Sequence, residues 1–352
     1  VTAVARAFAA RFGLRWPIIQ APMAGGPTTP ELIVAVGAAG GLGSLGAALL
    51  SADVIRTTAA VIRTRSNRPF AINLFVLPPA APEPSLVAAA LARLAPLHAE
   101  LGLPPPVAPS SFASALDEQI DTVLEIAPAV VSTHFGPPPP RLVAGCRARG
   151  IAIFATATTV AEAVHLEACG ADAVVAQGAE AGGHRGSFLA GSLPAEIGMI
   201  ALVPAIVDHV GIPVIAAGGI MEARGIRAAM ALGAAAVQMG TAFLACPEAG
   251  THPLHKAALA TAAGTMVTRG VTGRHARGLR NRLLETLDRD ADTAPDYPLQ
   301  NALSSGLRAA AARDGRADLM AMWAGQGHRL ARAEPAGDLV ARWAAEAGLS
   351  LA

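Results

Sequence analysis

The sequence predicts an α/β fold, a (β/α)8 TIM barrel with a helical lid or second domain, and three observations carry that expectation. Short apolar runs bounded by Pro or Gly alternate with Ala-rich stretches of helical length through the first 245 residues. The runs number eight, the count that closes a barrel. At 352 residues the chain exceeds one barrel of roughly 250 by about a hundred, enough for a covering segment.

In chain order the runs are PIIQAPM (17–23), GLGSLGA (41–47), PFAINLF (69–75), AVVSTHFG (129–136), IAIFATAT (151–158), ADAVVAQG (171–178), PVIAAGGI (213–220) and AAAVQMGTAF (234–243). Nearly all are continuously apolar, as strands covered on both faces must be, because neither face meets water. Several end in a polar residue or a glycine pair, at the end of the strand where a barrel keeps its chemistry. Residues 78–128 hold PPAAPEPS and PPPVAPSS around a helical stretch at 86–101, and read as an enlarged connection after the third strand. The expected division is a barrel over 1–250, a helical substrate-covering segment over 251–317, and C-terminal helices over 318–352 packed back on the barrel. No strand is expected after residue 247.

Charge and composition exclude several partners. With 27 basic against 26 acidic residues the formal charge is +1, so no field exists to draw in nucleic acid or anionic lipid. Two uncharged stretches, 32–52 and 228–247, approach membrane-spanning length, but Ala and Gly dominate them and insertion into lipid is weakly driven. The three cysteines lack CxxC spacing, which argues against a disulfide framework or a thiolate zinc site and suits a reducing cytoplasm. Arg6, Arg11 and Arg15 interrupt the N-terminal stretch where an export signal needs an apolar core.

The strongest chemical signal is a pair of turns, Ala217-Gly218-Gly219 after the seventh run and Gln238-Met239-Gly240-Thr241 after the eighth. Backbone N–H groups there, with a helix starting after each turn, suit a phosphate; the plainer alternative is a tight βα turn. Lys256 is the only lysine and lies beyond the eighth run, so no Schiff-base lysine sits on a barrel strand. No cysteine falls between Cys169 and Cys246, which removes a thiolate nucleophile from the loop after the sixth run. Nor does an HxH or carboxylate cluster mark a metal site at the strand ends. An organic cofactor is left as the source of reactivity.

The segment Gln177-Gly178-Ala179-Glu180-Ala181-Gly182-Gly183-His184-Arg185-Gly186 carries a further resemblance, together with Gln20 to Gly25, Asn73 in AINLF, Ser132 to Gly136 and the two glycine turns. Over nearly its whole length the chain resembles the nitronate monooxygenases, formerly 2-nitropropane dioxygenases, which are FMN barrel enzymes. That resemblance implies Ala21, Pro22 and Met23 beside the flavin ring, Asn73 and Gln177 hydrogen-bonding toward it, and Gly182 permitting close approach. It implies the phosphate at Gly218, Gly219, Gln238, Met239, Gly240 and Thr241, in agreement with the barrel rule. His184 is implied as the catalytic residue, able to take a proton from carbon or, when charged, to bind an anionic nitronate; a loop-capping histidine is the alternative. His134 is a candidate substrate contact, or an imidazole packed on the barrel rim.

The implied reaction is FMN-dependent oxidation of an alkyl nitronate by dioxygen to a carbonyl compound and nitrite. Two rivals stand beside it: an NAD(P)H-dependent FMN reductase of enoyl thioesters or quinones, and a barrel that binds a phosphorylated ligand without turnover. One departure is that family members often carry several tyrosines around the substrate, whereas Tyr297 is alone here. Trp323-Ala324-Gly325-Gln326-Gly327 is similar to a family element, but no physical argument assigns it a role. Arg185 reads as a solvated or ion-paired loop residue, and the remaining histidines as surface or packing residues.

Overall fold

The computed structural model describes residues 2–78, 83–109, 112, 115–189 and 196–349. The enlarged connection therefore lies partly outside the described residues, as do the last three positions.

Eleven strands are present among the described residues: β1 (Ile18–Gln20), β2 (Gly43–Gly46), β3 (Phe70–Phe75), β4 (Val130–His134), β5 (Ala152–Ala157), β6 (Ala173–Gln177), β7 (Gly183–His184), β8 (Val214–Ala217), β9 (Ala236–Met239), β10 (Thr265–Thr268) and β11 (Ala276–Leu279). Eight of them pair in parallel in the order β1-β9-β8-β6-β5-β4-β3-β2. The last gap closes where Leu42 N–H donates to Ile18 O and Gln20 N–H donates to Leu42 O, each at 2.9 Å. Every strand of this barrel falls inside one of the eight runs anticipated from sequence.

Local chemistry starts the crossover helices where the strands need them. Thr29 caps the helix Pro30–Ala38 through Leu32 N–H at 3.1 Å, with Pro30 preset for the first turn. Ser51 and Thr159 cap Ala52–Arg65 and Val160–Ala168 in the same way. The N-terminal helix Ala3–Arg11 packs Phe8 against Phe154, with Phe12 edge-on at 5.2 Å. These rings join Ile19, Val175 and Ile215 in one buried cluster that fills the barrel from its N-terminal end. The open space is left at the opposite end, where the strands finish.

The expectation of no strand after residue 247 is wrong. β10 and β11 pair antiparallel, and β11 pairs with β7, setting Ala276 opposite His184 and Arg277 opposite Gly183. TMVT and ARGL are four residues each and lack an apolar alternation, so their order comes from distant partners rather than from local pattern. The enlarged connection contains helices Pro84–Glu100 and Leu116–Ile126. Pro253–Thr261, Arg282–Asp288 and Leu299–Arg313 are helices in the segment after the barrel. The helix Ala336–Glu346 buries Leu339, Val340 and Trp343 against the barrel's outer layer, with Trp343 edge-on to Phe243 at 5.3 Å. No helix among the described residues is long and apolar enough to cross a membrane.

Candidate active site

A cavity of about 420 Å³ opens at the C-terminal ends of the barrel strands, within the range of sites that take cofactor-sized ligands. It is bordered by Ala21, Pro22, Met23, Asn73, His134, Gln177, Gly182, His184, Gly218, Gly219, Gln238, Gly240 and Thr241. Of the residues singled out from sequence, only Met239 stays out of its wall. Its side chain is buried, and its carbonyl accepts from Ala21 N–H at 2.9 Å, tying β9 to the loop after β1.

One side of the cavity is made of backbone. Gly218 and Gly219 have φ of +108° and +71°, a region that side chains with a Cβ rarely adopt, so glycine is required for this turn. β8 and β9 are neighbours, with Ala217 opposite Gln238, which brings the two glycine turns side by side. Among the described residues no backbone partner takes the N–H groups of Gly218, Gly219, Gly240 or Thr241. Free amides on a strand-end rim with no side chain in front of them fit a phosphoryl group. The expected helix after each turn is only half correct: Ala223–Ala231 follows β8, but a three-residue 3-10 turn, Thr241–Phe243, follows β9. The amides, rather than two helix dipoles, therefore provide the positive character of this rim.

The opposite side is made of side chains. Gln177 at the end of β6 donates from Nε2 to His184 O at 2.9 Å and accepts at Oε1 from Gly186 N–H at 2.8 Å. That bidentate clamp fixes the loop carrying His184. His134 Nε2 lies 3.2 Å from the same carbonyl, and because a carbonyl only accepts, His134 carries its proton on Nε2. Gly186 has to be small, since a Cβ there would fall 2.8 Å from His134 Cε1. Asn73 donates from Nδ2 to Ser132 Oγ at 2.9 Å, across β3 and β4.

His184 Nε2 is 2.9 Å from Thr272 Oγ1, and its ring is surrounded by aromatic groups. Tyr297, Phe135 and Trp323 have centroids 5.3, 5.6 and 5.7 Å away. Phe135 reaches this place with φ of +76°, a backbone conformation unfavourable for a bulky residue, which the surrounding packing must offset. Burial, then the positive field of His134, Arg274 and Arg308, pushes the His184 pKa down to about 3. Burial and Arg274 likewise hold His134 at about 3. Both imidazoles are therefore neutral near pH 7.

Arg308 supplies the cationic character of this wall, and Arg274 packs on Phe135 without bordering the cavity. Arg308 Nε donates to Ser304 Oγ at 3.1 Å and Nη2 to Asn301 Oδ1 at 2.8 Å; Arg274 donates to the carbonyls of Arg185 and Ser187 and lies 4.2 Å from the Phe135 ring centroid. Neither pairs with a carboxylate among the described residues, and burial lowers both to about 10. Tyr297 is pushed up to about 12 by burial and stays a neutral phenol.

Several of these residues escaped sequence reasoning. Phe75, Asn301, Arg308 and Trp323 border the cavity, and so do His252 and His255, which were expected to be surface or packing residues. Trp323 to Gly327 crosses its mouth: a Cβ on Gly182 would sit 2.4 Å from Ala324 C, and Gly325 N–H donates to Thr241 Oγ1 at 2.9 Å. Glycine at 182 is thus demanded by this chain crossing. Its signals in the sequence were the paired glycines 325 and 327 and the likeness of 323–327 to a family element. Of the two expectations for Arg185 the solvated one fails, since the residue is buried with Nη1 donating to Gly178 O at 2.7 Å.

Comparison with known proteins follows this geometry. A family model described as nitronate monooxygenase matches residues 9–346. The nitronate monooxygenase of Pseudomonas aeruginosa is 45% identical over 339 residues, covering 95% of this chain and 96% of its own. The solved structure of a nitroalkane oxidase from Streptomyces ansochromogenes is 43% identical with a TM-score of 0.91, covering 97% of this chain and 98% of that one. FabK from Thermotoga maritima is more distant, at 27% identity and a TM-score of 0.76 over 97% of this chain and 96% of that one. With matches of this identity spanning the barrel and the segment that crosses its mouth, the chain belongs to the nitronate monooxygenase family of flavin-dependent oxidoreductases.

Proposed function

We propose that this protein binds FMN in the barrel-mouth cavity and oxidises alkyl nitronates with dioxygen, giving a carbonyl compound and nitrite. The observation that carries the reading is the pairing, in one cavity, of a glycine amide rim with a wall holding Arg308, which has no carboxylate partner among the described residues. A buried cation without a counter-ion is costly, so the wall is built for an anion that arrives with the ligand. A nitronate is such an anion, whereas its parent nitroalkane is not.

Gly218, Gly219, Gly240 and Thr241 would hold the FMN phosphate, with Ala21 to Met23 along the ring and Asn73 and Gln177 near its polar edge. Bound FMN would supply the redox chemistry. Arg308 would attract the anionic end of the substrate, and the aromatic groups of Phe75, Tyr297 and Trp323 would exclude water from it. His184, neutral and held by Thr272, would take a proton from the substrate carbon or, once protonated, donate to a nitronate oxygen; His134 would steady the loop beneath it and border the substrate. In this reading residues 1–250 hold the cofactor, 251–317 cover the substrate, and 318–352 cross the cavity mouth at Trp323 to Gly327 before bracing the barrel. Tyr297, Asn301 and Arg308 support the middle assignment by facing the cavity.

Stopped-flow absorbance of the FMN-loaded protein under nitrogen tests the proposal. Bleaching of the flavin by a nitronate alone is expected. Bleaching by NADPH with no response to a nitronate would replace it with the reductase reading, and a colourless protein that takes up no FMN would leave only a non-catalytic barrel.

A further inference from the structure

Thr272 lies outside every assigned site, yet it makes the polar contact that orients the His184 ring. It is fully buried, and its Oγ1 has two neighbours: His184 Nε2 at 2.9 Å and Arg274 O at 3.2 Å. A threonine hydroxyl has one proton, and a carbonyl oxygen can only accept. Both contacts are hydrogen bonds only when the proton goes to Arg274 O, which leaves the hydroxyl lone pair to accept from His184. An imidazole that donates from Nε2 while neutral has its lone pair on Nδ1. Nothing among the described residues bonds Nδ1, and it is not among the side-chain atoms sealed from solvent.

The loop around Thr272 is rigidly held, which a tautomer lock requires. Gln300 Nε2 donates to Gly270 O at 2.8 Å and Ser304 Oγ donates to Val271 O at 2.7 Å, so the helix Leu299–Arg313 grips both preceding residues. Gly273 has φ of +86°, and a Cβ there would meet Pro295 O at 2.2 Å, so the chain turns tightly just after Thr272. Ser304 also accepts from Arg308 Nε at 3.1 Å. One helix thereby positions the anion-facing arginine and the hydroxyl that orients the histidine.

We propose that Thr272 is a positioning residue that holds His184 in the Nε2–H tautomer, presenting the Nδ1 lone pair to the cavity and thereby supporting turnover. This rests on the reading of His184 as the reacting histidine, so the test separates the two. The charged or titratable groups facing the ring are His134, Arg274, Arg308 and Tyr297, and none of them is a carboxylate that would draw its proton.

The test is nitrogen-15 NMR of histidine-labelled, FMN-loaded protein, with the His184 signals identified by their loss in His184→Asn. The wild type is expected to show His184 with the proton on Nε2, and Thr272→Ser to keep that pattern and near-normal turnover. Thr272→Val is expected to mix the tautomers and lower kcat about tenfold, with KM changed less and FMN content unchanged, as loss of one hydrogen bond in the reacting complex implies. A wild-type signal with the proton on Nδ1 overturns the proposal without any variant having to fold. So does a Thr272→Val protein whose tautomer or kcat matches wild type. Full turnover in His184→Asn would instead overturn the functional reading, while leaving the tautomer measurement valid.

Discussion

The two sides of the cavity are built on different principles. The rim after β8 and β9 is backbone: two adjacent turns, Gly218 and Gly219 at positive φ, and amides with no backbone partner among the described residues. The wall around His184 is side chain: two histidines, Arg308 and an aromatic enclosure, brought together from β4, β7 and the helix Leu299–Arg313, with Arg274 packed on Phe135. A backbone site tolerates change in everything except shape. A side-chain site depends on each member's charge and tautomer, and its parts can be altered one at a time. Substitutions on the rim should therefore affect cofactor retention, and substitutions in the wall should affect turnover.

The largest expected effect separates the two sides directly. His184→Asn should retain FMN but lose about 10²- to 10⁴-fold in kcat/KM for a nitronate, the usual contribution of a positioned acid–base group. Visible spectra and initial rates on the same preparation check both halves. Next, Gly218→Val forces a branched side chain onto a φ of +108° and should weaken FMN binding about tenfold or more, by the cost of left-handed strain. Fluorescence titration of apoprotein with FMN measures it, and unchanged affinity would break the distinction.

How much of this was legible follows the same division. All eight barrel strands, the glycine turns and the His184 loop are local in sequence, because a buried parallel strand is an apolar run and a tight turn needs glycine at a fixed place. The wall was not legible, since its identity lies in pairings between distant residues. His184 and Thr272 are 88 positions apart, and β11 has no strand pattern of its own until β7 lies beside it. Arg308 reads as an ordinary helical arginine; only the folded helix shows that it faces a cavity with no carboxylate opposite. Tyr297 was noticed as the lone tyrosine, but its place 5.3 Å from His184 was not deducible from its neighbours.

A smaller effect sharpens the contrast within the wall. Arg308→Met should raise KM for a nitronate about tenfold with kcat within about twofold, as loss of one charge-assisted contact made equally in ground and transition states implies. Steady-state kinetics distinguish this from a catalytic loss, in which kcat would fall with kcat/KM. The smallest effect is on stability. His134 and His184 titrate near 3 and His255 near 4 when folded, all depressed by burial from an ordinary 6.5. As pH falls below about 6.5 the unfolded chain takes up protons that the folded chain does not, so their contribution is full above that pH and is lost on acidification toward the folded values. The melting temperature should drop by roughly a few degrees between about pH 7 and pH 5, and by less in His134→Asn.

Diffraction from crystals of the FMN-loaded protein grown anaerobically with a nitronate tests the central claim most directly. The account predicts the phosphate on the amides of Gly218, Gly219, Gly240 and Thr241, and the nitronate between His184 and Arg308. A phosphate held by the arginine wall, or a nitronate remote from His184, would contradict it.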